Sequence, residues 1–218
     1  MEYINTYLLN DPEKKLIPME RAAFYDEQFA LVNQGGEPTR SVDIVQILLF
    51  STDGEIILQK RASNKKHNPS MIDKSVGGHI TVGDTPDHSA MIETVQELDV
   101  PSFVVQHNDS FERYYALLQP YLSTIALLKF IDCKTHTFQK KYDGQMLPIS
   151  SRYHLYFGFY NGKAKNNDRE ARGVLYYSLE ELHREIEQSP AMFTHDLTYF
   201  LQRYAHEIQD FLAYARRK

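Results

Sequence analysis

The stretch from Gly77 to Val100 limits what this chain can fold into more than any other part of it. Gly77 and Gly78 open a turn. Thr85 is a good N-cap, Pro86 suits the first helical position, and Asp87 lies in the first turn. The pattern predicts a helix from Pro86 to about Leu98, ended at Asp99, which tolerates the left-handed conformation better than most residues. Positions three and four apart share a helix face, so Glu93, Gln96 and Glu97 project from one side and Met91, Val95 and Leu98 from the other. Two carboxylates one turn apart repel each other unless neutralised, and a hard divalent cation such as Mg²⁺ neutralises them. A lone pair of this kind is usually a solvated acidic face. The double glycine ahead of it shifts the reading toward a cation site.

These residues resemble the signature of the Nudix hydrolase superfamily, which runs Gly, five residues, Glu, seven residues, then Arg-Glu-aliphatic-any-Glu-Glu-any-Gly-aliphatic. Gly78, Glu93, Glu97 and Val100 match it. Asp84 stands for the first Glu, Ile92 for Arg, Thr94 for an aliphatic, Gln96 for a Glu and Asp99 for the last Gly. The resemblance implies that Glu93, Gln96 and Glu97 hold Mg²⁺ or Mn²⁺, with Glu93 and Glu97 catalytic. It also implies an acidic residue from the late loop at the site, Glu170 being preferred over Asp168. Upstream, Leu58 to Ala62, Lys65, Lys66, Pro69 and Ser75 to His79 are similar to the branch that includes isopentenyl-diphosphate isomerase. There Lys60 and Arg61 fall at positions that meet a diphosphate, and Gly78 of the signature is the further substrate-binding residue the resemblance implies. The isomerase needs a cysteine where this chain has Gly77, and further histidines on a strand that here, from Val42 to Phe50, has none. His79 matches a metal ligand of that enzyme, although a lone histidine after a glycine turn is more often a hydrogen-bonded structural residue.

The rest of the chain supplies strands and helices for such a fold. Glu2 to Leu9 and Lys15 to Pro18 read as a hairpin around Asn10-Asp11-Pro12, Met19 to Leu31 as a short helix, and Asn33 to Pro38 as a loop. Val42 to Phe50 and Glu55 to Lys60 form a second hairpin. Ser110 to Leu118 is a helix with Phe111, Tyr114, Tyr115 and Leu118 on one face; it either covers the site or extends the core. Thr124 to Asp132 and Arg152 to Tyr160 are strands flanking a polar, hairpin-like excursion at Asp143-Gly144. Val174 to Tyr177 is a strand, Ser178 and Glu181 make a capping box, and Thr194 to Arg217 reads as one amphipathic helix, packed in the core or forming a dimer seam.

At 218 residues and 42% apolar content the chain can bury a full core. A net charge of −5 disfavours nonspecific binding to nucleic acid or an anionic membrane. A single cysteine, Cys133, excludes an internal disulfide and, with no apolar leader, suggests a cytoplasmic protein. Cys133 and His136 invite a nucleophile reading, but nothing supplies the third, orienting group.

The expected fold is therefore α+β, an α/β/α Nudix sandwich with a mixed sheet. Residues 1–38 form an N-terminal hairpin and helix extension, and residues 39–218 the Nudix domain, with an inserted helix near 110–121. The expected activity is Mg²⁺-dependent hydrolysis of a diphosphate linkage in a nucleoside diphosphate derivative or similar small organic diphosphate. The alternatives are a catalytically weak or inactive binding module and, less favoured, an isomerase-like enzyme. The expected partner is a small-molecule diphosphate, without nucleic acid or membrane, in a monomer or homodimer.

Overall fold

The structure, a computed structural model, describes residues 2–106, 110–165 and 171–216. Its centre is β3 (Arg40–Phe50). Val42, Ile44, Leu48 and Phe50 of this strand enter one apolar cluster, while Val45, Ile47 and Leu49 enter a second on the other face. A strand covered on both faces has no solvent side to mark with polar residues, hence its nearly unbroken apolar run.

β3 lies parallel to β9 (Gln145–Phe159), and β9 pairs antiparallel with β8 (Ala126–Tyr142). On the other side come β4 (Glu55–Arg61) and β10 (Ala171–Ser178), and β7 (Ser102–Val105) runs parallel to β8 at the far edge. The N-terminal hairpin, β1 (Tyr3–Leu8) with β2 (Ile17–Glu20), joins the same ten-stranded mixed sheet through β1 and β3. The β8–β9 hairpin turns at Asp143 and Gly144, whose φ values of 47° and 81° are those a two-residue hairpin turn demands.

One face of the sheet carries α2 (Pro86–Leu98). Packed with the opposite cluster are α1 (Arg21–Asn33), α3 (Phe111–Leu118), α4 (Leu179–Gln188), α5 (His195–Arg203) and α6 (Ala205–Arg216). The layers are those of an α/β/α sandwich. Among the described residues no helix is long and apolar enough to cross a membrane.

Three sequence readings are corrected. α3 does not cover the site: Phe111 and Tyr115 are buried, and Phe111 packs on Phe211 and Tyr214. The C-terminal helix is two helices, broken at Tyr204. The Tyr204 hydroxyl donates to Asp132 at 2.8 Å and meets the Tyr153 hydroxyl at 2.6 Å, and the apolar stripe on both sides of the break is buried, which rules it out as an exposed seam. In α2 the buried face is Ala90, Thr94 and Leu98, while Val95 stays 42% exposed. Thr94 can face inward because its hydroxyl meets the Met91 carbonyl and the Ser102 hydroxyl.

Candidate active site

β3 and β4 pair directly only at Leu49–Phe50 with Ile56–Ile57. Beyond that point they diverge, and the segment holding β5 (Ile72–Asp73) and β6 (Val76–His79) fills the fork, β5 on β4 and β6 on β3. Ser75 pins it there: its hydroxyl accepts from the Leu49 N–H at 2.7 Å and donates to the Ile57 carbonyl. A cavity of about 1130 Å³ opens over this fork, walled by α2, α1, the loop after β4 and the end of β8.

α2 starts as the sequence implies: the Thr85 side chain accepts from the His88 N–H, and the Tyr156 hydroxyl donates to Asp87, tying the first turn to the sheet. Its end is also as expected, with Asp99 left-handed at φ 57°. Glu93, Gln96 and Glu97 all line the cavity. A Cβ on Gly78 would stand 1.9 Å from Glu93 Oε1, so the glycine is what lets this carboxylate lie against the β6 backbone. Glu97 is oriented from β4, where the Gln59 amide N–H₂ donates to Glu97 Oε2 at 2.7 Å and to the Ser75 carbonyl at 2.6 Å.

Of the basic residues expected to meet a diphosphate, Arg61 lines the cavity and Lys60 does not. Successive strand residues face opposite ways, which groups Gln59 with Arg61 and turns Lys60 aside. Arg61 Nη1 binds Asp73 at 3.0 Å, and its Nε and Nη2 donate to the His67 carbonyl, leaving two of its five N–H bonds uncommitted there. Asp73 belongs to a buried group in which Lys74 Nζ binds Asp73 at 2.9 Å and Asp196, at the start of α5, at 2.6 Å. Burial works against the Lys74 charge, but Asp196 and Asp73 overcome it and hold the ammonium above its ordinary value. His79 is engaged by the Tyr25 hydroxyl at Nε2, 2.9 Å away, and burial with the nearby Arg21 and Lys140 charges keeps the ring neutral. Glu170 and Asp168 lie outside the described residues. Cys133 comes within 3.8 Å of His154, not His136, and burial pushes its thiol up, against a nucleophile.

Among the described residues no three His, Cys, Asp or Glu side chains form a metal-holding group. The donors are two carboxylates and the Gln96 amide. That set fits a Mg²⁺-like ion, which typically takes one or two carboxylates and completes its shell with water and substrate phosphate. Two further polar groups of the cavity wall, Gln46 Oε1 and Ser89 Oγ, are buried with no partner in the fold, as expected of groups that complete their hydrogen bonds to a bound molecule or water.

The sequence reading missed Gln59, Gln46 and the Lys74 group. Gln59 alone had a signal, its two-residue offset from Arg61 on one strand. No protein-family model matches the chain, and no curated protein matches it. Solved structures share its fold. DR0079 from Deinococcus radiodurans has a TM-score of 0.59 and 15% identity over 91% of this chain and 98% of that one. The MutT protein from Methanosarcina mazei Go1 gives 0.51 and 14% over 76% and 93%. The NUDIX domain of Shewanella oneidensis NrtR complexed with ADP ribose gives 0.49 and 9% over 87% and 99%.

Proposed function

We propose that this chain, whose fold is the Nudix sandwich, hydrolyses a diphosphate linkage in a nucleoside diphosphate derivative or similar small organic diphosphate. The observation that carries this is the Glu93 carboxylate laid on Gly78, beside Glu97, at the wall of a large cavity. Glu93, Gln96 and Glu97 are the residues to hold Mg²⁺ or Mn²⁺, which when bound offsets phosphate charge and acidifies water. Glu93, or Glu170 from the late loop, takes the proton of the attacking water. Gln59 keeps Glu97 turned to the cavity, and the spare Arg61 N–H groups donate to a phosphate oxygen.

The test is a panel of diphosphates incubated with the purified protein and Mg²⁺. Cleavage of at least one member is expected, with kcat/KM falling at least about 100-fold in Glu97→Gln. Equal activity in Glu97→Gln removes the assigned role.

A second reading, a binding module with weak or no turnover, is favoured by Ile92. It lines the cavity at 41% exposure where the signature has an arginine. Calorimetry showing nucleotide binding without turnover selects it. Isomerisation is disfavoured further by crowding at Gly77, where an added Cβ would stand 2.6 Å from Lys74 Cε.

A further inference from the structure

The cavity, at about 1130 Å³, is far larger than two carboxylates and a diphosphate need, and the wall formed by the loop after β4 and the end of β8 has a different chemistry. From Gly78 the wall passes to His79, whose ring meets Tyr25 edge-on. Tyr25 packs on His67 at 4.5 Å, and His67 packs on Tyr142 at 5.3 Å. Lys66 and Lys140 line the cavity beside these rings. Among the described residues neither lysine has a carboxylate within ion-pair distance, in contrast to Lys74 and Arg61, and Lys140 makes only a cation–π approach to Tyr25 at 6.0 Å.

The loop bearing Lys66 and His67 is fixed to the β8 strand bearing Lys140. Asn68 is 5% exposed; its N–H donates to the Lys141 carbonyl at 2.8 Å, and its side-chain oxygen accepts from the Lys141 N–H at 2.7 Å. Arg61 holds the His67 carbonyl from below. The two lysines are thus placed together by well-bonded backbone. Beside them His67 Nδ1 is shut off from solvent without a partner. Burial and the surrounding Lys140, Arg61, Arg21 and Lys66 charges push this imidazole down to about 3, so it is a neutral ring in a positive field. Glu20 and Asp26 also line the cavity, but from the α1 side, and Arg21 is paired with Glu2. The uncompensated positive charge lies toward the loop and β8.

We propose that Lys66 and Lys140, beside His67, form an anion subsite that takes a phosphoryl group carried by the ligand beyond the diphosphate held at Glu93 and Glu97. Two ammonium groups supply the charge, and the neutral His67 ring beside them adds no competing negative charge. As a statement about which diphosphates are cleaved this rests on the proposed hydrolase activity; as a statement about binding it does not.

The first test is calorimetry of the full chain in EDTA with inorganic pyrophosphate. Without a cation the Glu93–Glu97 end repels anions, so saturable, salt-sensitive binding reports the lysine end. Lys66→Gln with Lys140→Gln, at half-exposed or exposed positions that do not hold the core, is expected to weaken it at least about 10-fold, and Glu97→Gln to leave it unchanged or tighter. No saturable binding, or binding indifferent to the two lysines, overturns the proposal. The second test compares two diphosphate substrates differing only by an added distal phosphate. The double variant is expected to raise KM for the added-phosphate substrate about 10-fold with kcat kept, and to move the plain one less than about twofold. Equal losses for both place the lysines at the scissile diphosphate and overturn it. Should no diphosphate be cleaved while the EDTA binding holds, the hydrolase reading fails and the subsite stands.

Discussion

Glu93 lies where it does because residue 78 has no side chain, and Glu97 because a glutamine on the next strand holds it. Two expected outcomes follow at this scale. Gly78→Ala puts a methyl group into the Glu93 carboxylate, so Mg²⁺ affinity measured by calorimetry should fall and the melting temperature with it. Gln59→Leu removes the donor to Glu97 and leaves the Ser75 carbonyl short of one hydrogen bond. It should weaken Mg²⁺ binding about 10- to 100-fold and cost about 1–3 kcal/mol of stability in urea melts. Unchanged Mg²⁺ affinity in Gln59→Leu would remove its positioning role. The carboxylates were legible because helical spacing fixes which residues share a face. Gln59 was not, because its role depends on β4 passing beside α2, a contact between segments that no local pattern encodes.

The elements around the cavity are joined by charge. Lys74 links β5 to the start of α5 through Asp73 and Asp196, all three buried. Lys74→Ala leaves buried Asp196 without its cation and Asp73 with Arg61 alone, and should cost about 3–5 kcal/mol, measured by chemical denaturation. This clip also gives the fold its acid limit. Burial opposes the Asp73 charge, but Lys74 and Arg61 hold the carboxyl below the ordinary range, so its contribution is present above the unfolded value and is lost as pH falls through the folded one. The loop after β4 acts earlier in the same direction. His67 is held neutral down to about 3, so the unfolded chain binds its proton first and stability drops as pH falls below about 6.5. In His67→Phe the stability lost between pH 7.5 and 5 should shrink by about 2 kcal/mol; an unchanged loss would place the acid sensitivity elsewhere. Element boundaries were legible where caps and turns mark them, as at Thr85, Asp99, Ser178 and Asp143-Gly144. β7 went unread because four residues carry too little periodicity, and the break at Tyr204 because it is set by partners far away in sequence, Asp132 and Tyr153.

For the molecule as a whole, the N-terminal hairpin and α1 are part of the common core. Ile4, Phe24 and Phe29 lie in the main apolar cluster, Tyr7 is fully buried, and α1 also brings Arg21 and Tyr25 to the cavity. Each such side chain is worth about 1.5–3 kcal/mol, against a net stability of about 5–15 for a typical domain. Deleting residues 1–38 should therefore leave a chain without a cooperative thermal transition in calorimetry. The β8–β9 hairpin matters in a different way, since its turn at Asp143 and Gly144 sits just beyond Lys140 and Tyr142. A strand advances about 3.4 Å per residue and its side chains alternate faces, so two cross-strand pairs inserted or removed together would slide the tip along the mouth by about 7 Å with Lys140 and Tyr142 still facing the cavity. On the proposed anion subsite the hairpin is a caliper jaw, and its length in residues would set how long a molecule can be gripped between the acidic helix and the basic tip.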